Sequence, residues 1–422
     1  MGAGRRTSWP IVPILIAYMA LAVWMSATVP FGSAPDERPH LDYIKYLVEH
    51  HKWPVLSSEA PTQFEFHQPP LYYLLCTPAY AAAGVIDRMA HDPAEGWVRM
   101  VSVVLGAMTV WAVYWALGEA FGKRWRLRVP IAACIAFLPM FVFLTASINN
   151  DDLVILLFAI ALGMGARMAH RGPTLGLAFA MGIVAGLGGL TKVVGLLLIP
   201  IGIAACWIPV AGTRDRRRAA VIAMAILLAV SLALCGPWLA RNQLVYGDPL
   251  GQKAFMQFFG PKNVKPGDFI QGGMSMGQYG WMVTRYSLMS LLGVYGHMNV
   301  WLPGWVYGMF GIVMLAGLVG ICVWYVREAA GTPTPTRRAL GLWSLAFLLV
   351  VLFFLKFNTE FFQAQARYMF PALIPIVAGI VLGVTRLVPA RARPAVAWTI
   401  AAALFVVTIC VIGEYGSLAR HM

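Results

Sequence analysis

Apolar segments close to the length of a bilayer span recur along the whole chain, and this recurrence fixes what the chain can become. A membrane helix takes roughly 20 predominantly apolar residues. Eleven segments approach that, at about Ile11–Thr28, Trp97–Phe121, Val129–Ser147, Leu153–Ala169, Leu175–Leu190, Val193–Pro209, Ala219–Leu239, Gly304–Val326, Ala339–Leu355, Tyr368–Val384 and Pro394–Ile412. The fifth and sixth abut. The 422 residues are 59% hydrophobic and 12% charged, with a mean hydropathy of +0.70, more apolar than an ordinary soluble core requires. The expected fold is an all-α polytopic membrane protein: a single domain over residues 1–422, a bundle of about 11 transmembrane helices, and two long loops with amphipathic surface helices. Arg5 and Arg6 before the first segment give it the look of a signal peptide, but no A-x-A-like site follows, so it is read as a retained helix.

The charge of +14 does not point to nucleic acid, because its distribution has a simpler reading. With a cytoplasmic N-terminus, Lys123 to Arg128, Arg167 with Arg171, Arg214 to Arg218, Arg327 with Arg337 and Arg338, and Arg386 with Arg391 and Arg393 fall on one side. That is the positive-inside pattern. The two long loops, residues 30–95 and 241–303, then face the extracytoplasmic side. The expected location is a bacterial inner (plasma) membrane. Six cysteines, Cys76, Cys134, Cys206, Cys235, Cys322 and Cys410, fall mostly within apolar stretches with no C-x-x-C pair, which argues against zinc, iron–sulfur or disulfide frameworks.

Long loops tend to carry function, and these two hold most of the acids and histidines. "PDERPHLDYIKYLVEHH" follows the first segment. Ser33 is a candidate cap, and Asp36 and Glu37 suit a first helical turn, so both acids have a plain structural reading. Leu41, Ile44, Leu47 and Val48 give this helix an apolar face that would rest on the membrane surface. Asp36 and His40 share a face while Asp36 and Glu37 point apart, so one acid can face a cavity as the other meets a cation or a loop. "FEFHQPPLYYLL" closes the same loop; Pro69 and Pro70 fix an extended turn after Glu65, His67 and Gln68. Tyr72 and Tyr73 read as an interfacial aromatic belt. Glu65 and His67, with the earlier acids, are candidates for acceptor or divalent-metal contacts, although no regular ligand spacing supports a metal. "SINNDDLVILLF" places Asn149, Asn150, Asp151 and Asp152 at a turn on the same side, one acid more than the turn needs. Lys192, Arg241 and Arg367 are cations on the acids' side, against the positive-inside trend; each either snorkels or faces an anion such as a lipid-linked phosphate.

Taken together, "PDERPH", "HQPPLYYLL", "NNDD", "GGLTKVVGLLLIP" and "RYMFPALIP" resemble the GT-C superfamily, in its protein O-mannosyltransferase and lipid A aminoarabinose transferase branch. "RNQLVYGDPL" and "SLLGVYGHMNVWLP" look more like a largely uncharacterised bacterial family of predicted membrane proteins. The resemblance covers nearly the whole chain in order. It implies a GT-C type bundle and an enzyme that moves a sugar, with inversion, from a polyprenyl-phosphate carrier to a glycan, lipid or protein acceptor at the extracytoplasmic face. Asp36 then matches the catalytic base, Glu37 its partner, and Asp151 or Asp152 an acid used for acceptor or metal contacts. Where that branch reads "KPPLYYW", with the Lys implicated in phosphate binding, this chain has Gln68. The phosphate must therefore be met by Arg367 first, with Lys192 and Arg241 next. Residues 243–299 are expected to form a lid, with Tyr295 and His297 lining it. A divalent metal is compatible with these residues but not required by them. Because no large soluble domain follows the last helix, no resemblance to an oligosaccharyltransferase is expected. The rival readings are a transporter or flippase of lipid-linked sugars, for which neither internal repeats nor mid-segment acids are found, and a non-enzymatic envelope assembly protein.

Overall fold

With no water in lipid to solvate backbone polar groups, apolar segments satisfy their own N–H and C=O groups as helices. A computed structural model describes residues 9–57, 64–86, 94–123, 125–210 and 217–418. Arg5 and Arg6, loop residues 58–63 and 87–93, and Arg124 and Arg214 to Arg216 of the basic runs lie outside the described residues. The order is α1 (Val12–Thr28), α2 (Glu37–His50), α3 (Leu71–Ile86), α4 (Ala94–Phe121), α5 (Arg128–Ala136), α6 (Pro139–Thr145), α7 (Asp151–Arg171), α8 (Leu175–Gly189) and α9 (Leu198–Trp207). Then come α10 (Arg217–Tyr246), α11 (Gln252–Phe258), α12 (Pro266–Gln271), α13 (Met276–Leu292), β1 (Val294–Tyr295), β2 (Val300–Trp301), α14 (Gly304–Arg327), α15 (Thr334–Glu360), α16 (Leu373–Arg386) and α17 (Arg393–Leu418). β1 and β2 form an antiparallel hairpin pairing Val294 with Trp301 and Tyr295 with Val300.

Among the described residues, seven helices are long and apolar enough to cross a membrane: Glu95–Phe121, Asp151–Arg171, Arg217–Tyr246, Gly304–Arg327, Thr334–Glu360, Ala366–Arg386 and Arg393–Tyr415. The pair α5 and α6, bent by 60°, makes an eighth if counted as one. Val12–Thr28, Leu175–Gly189 and Val193–Trp207 are apolar but shorter. Each of the eleven sequence segments thus overlaps helix, yet length and composition give seven or eight spans. The bend has a local cause. Leu138 precedes Pro139 and takes an extended conformation (φ −67°, ψ 118°), as a residue before proline does, and Pro139 then opens α6.

α7 lies at the centre, buried along nearly its whole length between α4, α8 and α15. α14 is its opposite, burying only Gly317 and Gly320 and turning Trp305, Ile312 and Tyr325 outward. It packs on α16 so closely that a Cβ on Gly320 would lie on the backbone of Gly383, which is why small residues occupy both positions. α2 does not rest its apolar face on a membrane surface. It packs that face on α3, burying Tyr43, Ile44 and Leu47, with Tyr43 stacked on Tyr73 at 3.7 Å. Tyr72 and Tyr73 are accordingly interior residues and not an interfacial belt. Tyr72 pairs its hydroxyl with that of Ser102 at 2.8 Å.

Candidate active site

The chain between α1 and α2 turns through Asp36, whose φ of 64° lies in the left-handed region, which Asp enters more readily than most residues. Asp36, not Ser33, occupies the N-cap position of α2, and its side chain caps nothing. The two acids then part. Glu37 is 1% exposed and receives Arg99 through Nε–H to Oε1 (2.7 Å) and Nη2–H to Oε2 (2.8 Å), together with the backbone N–H of Gly32 (2.8 Å) and of Ile148 (3.1 Å). Arg99 also donates to the carbonyls of Ser26 and Val29. Glu37 is thus a strut tying the first loop to α4 and to the approach to α7.

Asp36 instead faces a cavity of about 840 Å³ at the same end of the bundle as the start of α7. Arg367, in the 3₁₀ turn Ala366–Ala372 before α16, donates to its Oδ2 at 2.5 Å and to the Tyr368 hydroxyl at 3.1 Å. Burial pushes the Asp36 carboxyl up, but Arg367, with His40 and Lys192 adding to it, holds Asp36 below the usual carboxylate range. A second pair sits across the cavity. Asp151 opens α7, and Lys192, extended where α8 ends, donates to its Oδ1 at 2.5 Å. Pro69 and Pro70 lack N–H groups, and the N–H of Leu71 reaches the carbonyl of Leu190 at 2.9 Å, so the first loop is sewn to the turn that presents Lys192.

His40, Glu65, His67 and Gln68 line the same cavity. His40 Nδ1 lies 2.9 Å from the Tyr73 hydroxyl, and His67 Nδ1 donates to the Phe64 carbonyl at 2.7 Å. Burial pushes the two imidazoles down to about 3 and about 4, so both are neutral near pH 7. Among the described residues, no His, Cys, Asp and Glu side chains converge in a group of three that would hold a metal ion.

The structure separates the remaining candidates from the cavity. Asp152 is 1% exposed, buried beside Ser102 of α4 and absent from the cavity lining. Arg241 donates to the Pro54 carbonyl at 2.6 Å and lies over Trp238 and Tyr246. Tyr295 is buried against Phe143 and Tyr415, and His297 is exposed on the β1–β2 turn. The part of the second loop that covers the cavity lies earlier: Gln252, Lys253, Phe255, Met256 and Phe259 of α11 and its flank, with His67 and Phe255 rings 4.9 Å apart. Sequence reading also missed Tyr368 and the stripe Phe353, Phe357 and Phe361, which carries one apolar wall from the span α15 into the cavity. Tyr368 was legible as the neighbour of Arg367; the stripe was hidden in a segment apolar all round.

A family model of dolichyl-phosphate-mannose-protein mannosyltransferase matches residues 79–240, less than half of the chain. No curated protein matches the sequence. Among solved structures, the chain is similar to the Archaeoglobus fulgidus oligosaccharyltransferase in complex with Zn and sulfate (TM-score 0.56, 16% identity, covering 96% of this chain and 53% of that one). It is equally similar to archaeal AglB from the same organism in complex with an inhibitory peptide and a dolichol-phosphate (TM-score 0.56, 14% identity, 97% and 56%). A lower similarity is to ArnT from Cupriavidus metallidurans bound to undecaprenyl phosphate (TM-score 0.41, 14% identity, 94% and 78%). The chain spans about half the length of the oligosaccharyltransferase chains it matches. The expectation of no likeness to an oligosaccharyltransferase is therefore corrected at the level of fold. The chain shares its fold with the oligosaccharyltransferase structures, and its residues 79–240 match the mannosyltransferase family model.

Proposed function

We propose that this protein is an inverting GT-C glycosyltransferase that moves a sugar from a polyprenyl-phosphate carrier to an acceptor hydroxyl at the extracytoplasmic face of a bacterial inner membrane. The observation that carries this reading is the convergence, in one cavity, of an ionised carboxylate at Asp36, two cations at Arg367 and Lys192, and an aromatic wall continuous with a membrane span.

Each part has a chemical role. The hydrocarbon carrier lies along Phe353, Phe357 and Phe361, where apolar surface leaves lipid without entering water. Asp36 takes the proton of the acceptor hydroxyl as its oxygen attacks the anomeric carbon, a contribution of about 10²- to 10⁴-fold for a positioned base. The bond from that carbon to the phosphate oxygen breaks, and the electron pair leaves with the phosphate. Arg367 and Lys192 stabilise the charge that develops there, commonly the largest single contribution to such a rate. Neutral His40 orients the acceptor without competing for its proton. α11 excludes water once both substrates are in place.

The test is transfer of radiolabelled sugar from a panel of polyprenyl-phosphate sugars by purified protein, comparing wild type with Asp36→Asn. Transfer by the wild type that falls by about 10²-fold or more in the variant, with a cooperative melt retained above the assay temperature, supports the reading. Equal turnover in the two proteins removes Asp36 from its role, and donor binding without turnover for any acceptor favours transport.

A further inference from the structure

Five carboxyl groups line the cavity, Asp36, Glu65, Asp151, Asp248 and Glu360; Asp248 accepts the N–H groups of Leu250 and Lys253, and Glu360 pairs with Lys356 at 2.6 Å. Arg367 is taken by Asp36 and Lys192 by Asp151, each at 2.5 Å. Among the described residues, Glu65 forms no ion pair, although Lys192 and Arg367 lie near enough to act on it. It is 7% exposed, its Oε2 is buried with no hydrogen-bond partner, and the turn Phe64–His67 ahead of Pro69 and Pro70 holds it in place. Beside it, Gln68 also turns an unpartnered oxygen inward, its amide reaching only His67 Nε2 at 3.5 Å. An ionised carboxylate so placed would be buried and unpaired, which is among the costliest arrangements a side chain can take. A protonated one carries an O–H donor and no charge.

We propose that Glu65 is an uncharged hydrogen-bond donor to the phosphate of the polyprenyl carrier, so that the cavity recognises the anion only while Glu65 keeps its proton. This rests on the carrier reading above, and it adds a phosphate-binding residue where the chain has Gln68 and no lysine. The environment supports it. Burial raises the Glu65 carboxyl, the Asp36 carboxylate and Asp151 add to this, Lys192 and Arg367 oppose it, and the balance lies at about 8. Tyr43 from α2 and Tyr73 from α3 are pushed up by burial and by Glu65 itself, so both stay uncharged where Glu65 titrates. His40 and His67 are already neutral far below. The sign follows: below about 8 Glu65 donates, whereas above it the carboxylate repels the phosphate, and affinity falls about tenfold per pH unit.

The experiment measures binding of undecaprenyl phosphate to the purified protein by tryptophan fluorescence between about pH 7 and pH 9.5, above the second ionisation of the phosphate. It compares wild type, Glu65→Gln and Glu65→Leu, with thermal melts to confirm folding. Wild type should lose affinity above about pH 8. Glu65→Gln, which keeps an N–H donor and cannot ionise, should bind within about threefold of wild type at pH 7 with no such fall, and Glu65→Leu should bind about tenfold more weakly than wild type at pH 7, also with no such fall. Infrared spectra should show a protonated carboxyl band that Glu65→Gln removes. A pH dependence shared by wild type and Glu65→Gln, or wild-type affinity in Glu65→Leu, overturns the role of Glu65 and leaves the carrier reading standing. No binding by wild type at pH 7 overturns the carrier reading and this inference with it.

Discussion

Asp36 and Glu37 differ by one methylene and one position, yet the backbone gives them opposite surroundings. The left-handed φ at Asp36 starts α2 so that Glu37 turns into the protein and Asp36 into the cavity. This sorts the expected effects of mutation. Arg99→Leu leaves the Glu37 carboxylate buried without its cation, and removing one partner of such a pair costs about 3–5 kcal/mol. Its melting temperature in detergent should fall steeply, and whatever protein remains folded should still bind carrier. Asp36→Asn should lose transfer while lowering the melt less, because Asn keeps an oxygen that accepts from Arg367 and its side of the pair opens on the cavity. Sequence alone marked both acids as candidates and left capping open, because spacing says which residues share a face but not what that face meets. It named Asp36, His40, Glu65, His67, Gln68, Asp151, Lys192 and Arg367, which do gather around one cavity. It also named Asp152, Arg241, Tyr295 and His297, which lie elsewhere, since a helix-end charge reads alike whether it turns to a cavity or to a neighbouring carbonyl.

At the scale of elements, hydropathy located the helices because a span must be apolar, but it did not set their number. α1, α8 and the stretch Val193–Trp207 are apolar and short, and α5 and α6 are halves of one segment broken at Pro139. α2 and α3 were harder still, because the partner of an amphipathic face, lipid or protein, leaves no mark in periodicity. Two contacts between elements make direct tests. Gly320→Val would drive a side chain onto the backbone of Gly383 in the α14–α16 contact. With no flexible group to yield, the expected result is loss of the monodisperse, cooperatively melting species in size-exclusion and thermal assays. Phe357→Ala removes the middle of the aromatic stripe, and truncating a Phe commonly costs several kcal/mol when buried and less in an open cavity wall. Weaker carrier binding at an unchanged melt is expected, read by the same fluorescence titration.

Over the whole molecule, ion pairs gather at the two ends of the bundle. α7 runs about 30 Å from Asp151 to Arg171, from the cavity to an end where Arg167 meets Glu119 at 2.9 Å and Arg386 and Arg393 meet Glu328. On the proposed orientation, that second end faces the cytoplasm. His297→Cys, in a background lacking the exposed Cys322 and Cys410, should react with an impermeant maleimide added to intact cells, and Arg338→Cys only after permeabilisation. The opposite pattern would invert the protein and place the cavity inside.

The contact between Arg367 and Asp36 also carries a kinetic consequence. Before any substrate arrives, the base is engaged by the cation that the leaving phosphate will need. An anion that claims the guanidinium sets the carboxylate free, whereas a neutral acceptor does not. Catalysis should then follow a compulsory sequence, carrier first and acceptor second, with no stray activation of water while the carrier is absent. Initial-rate patterns with a non-reactive acceptor analogue check this: it should act uncompetitively against the donor, whereas random addition would make it non-competitive.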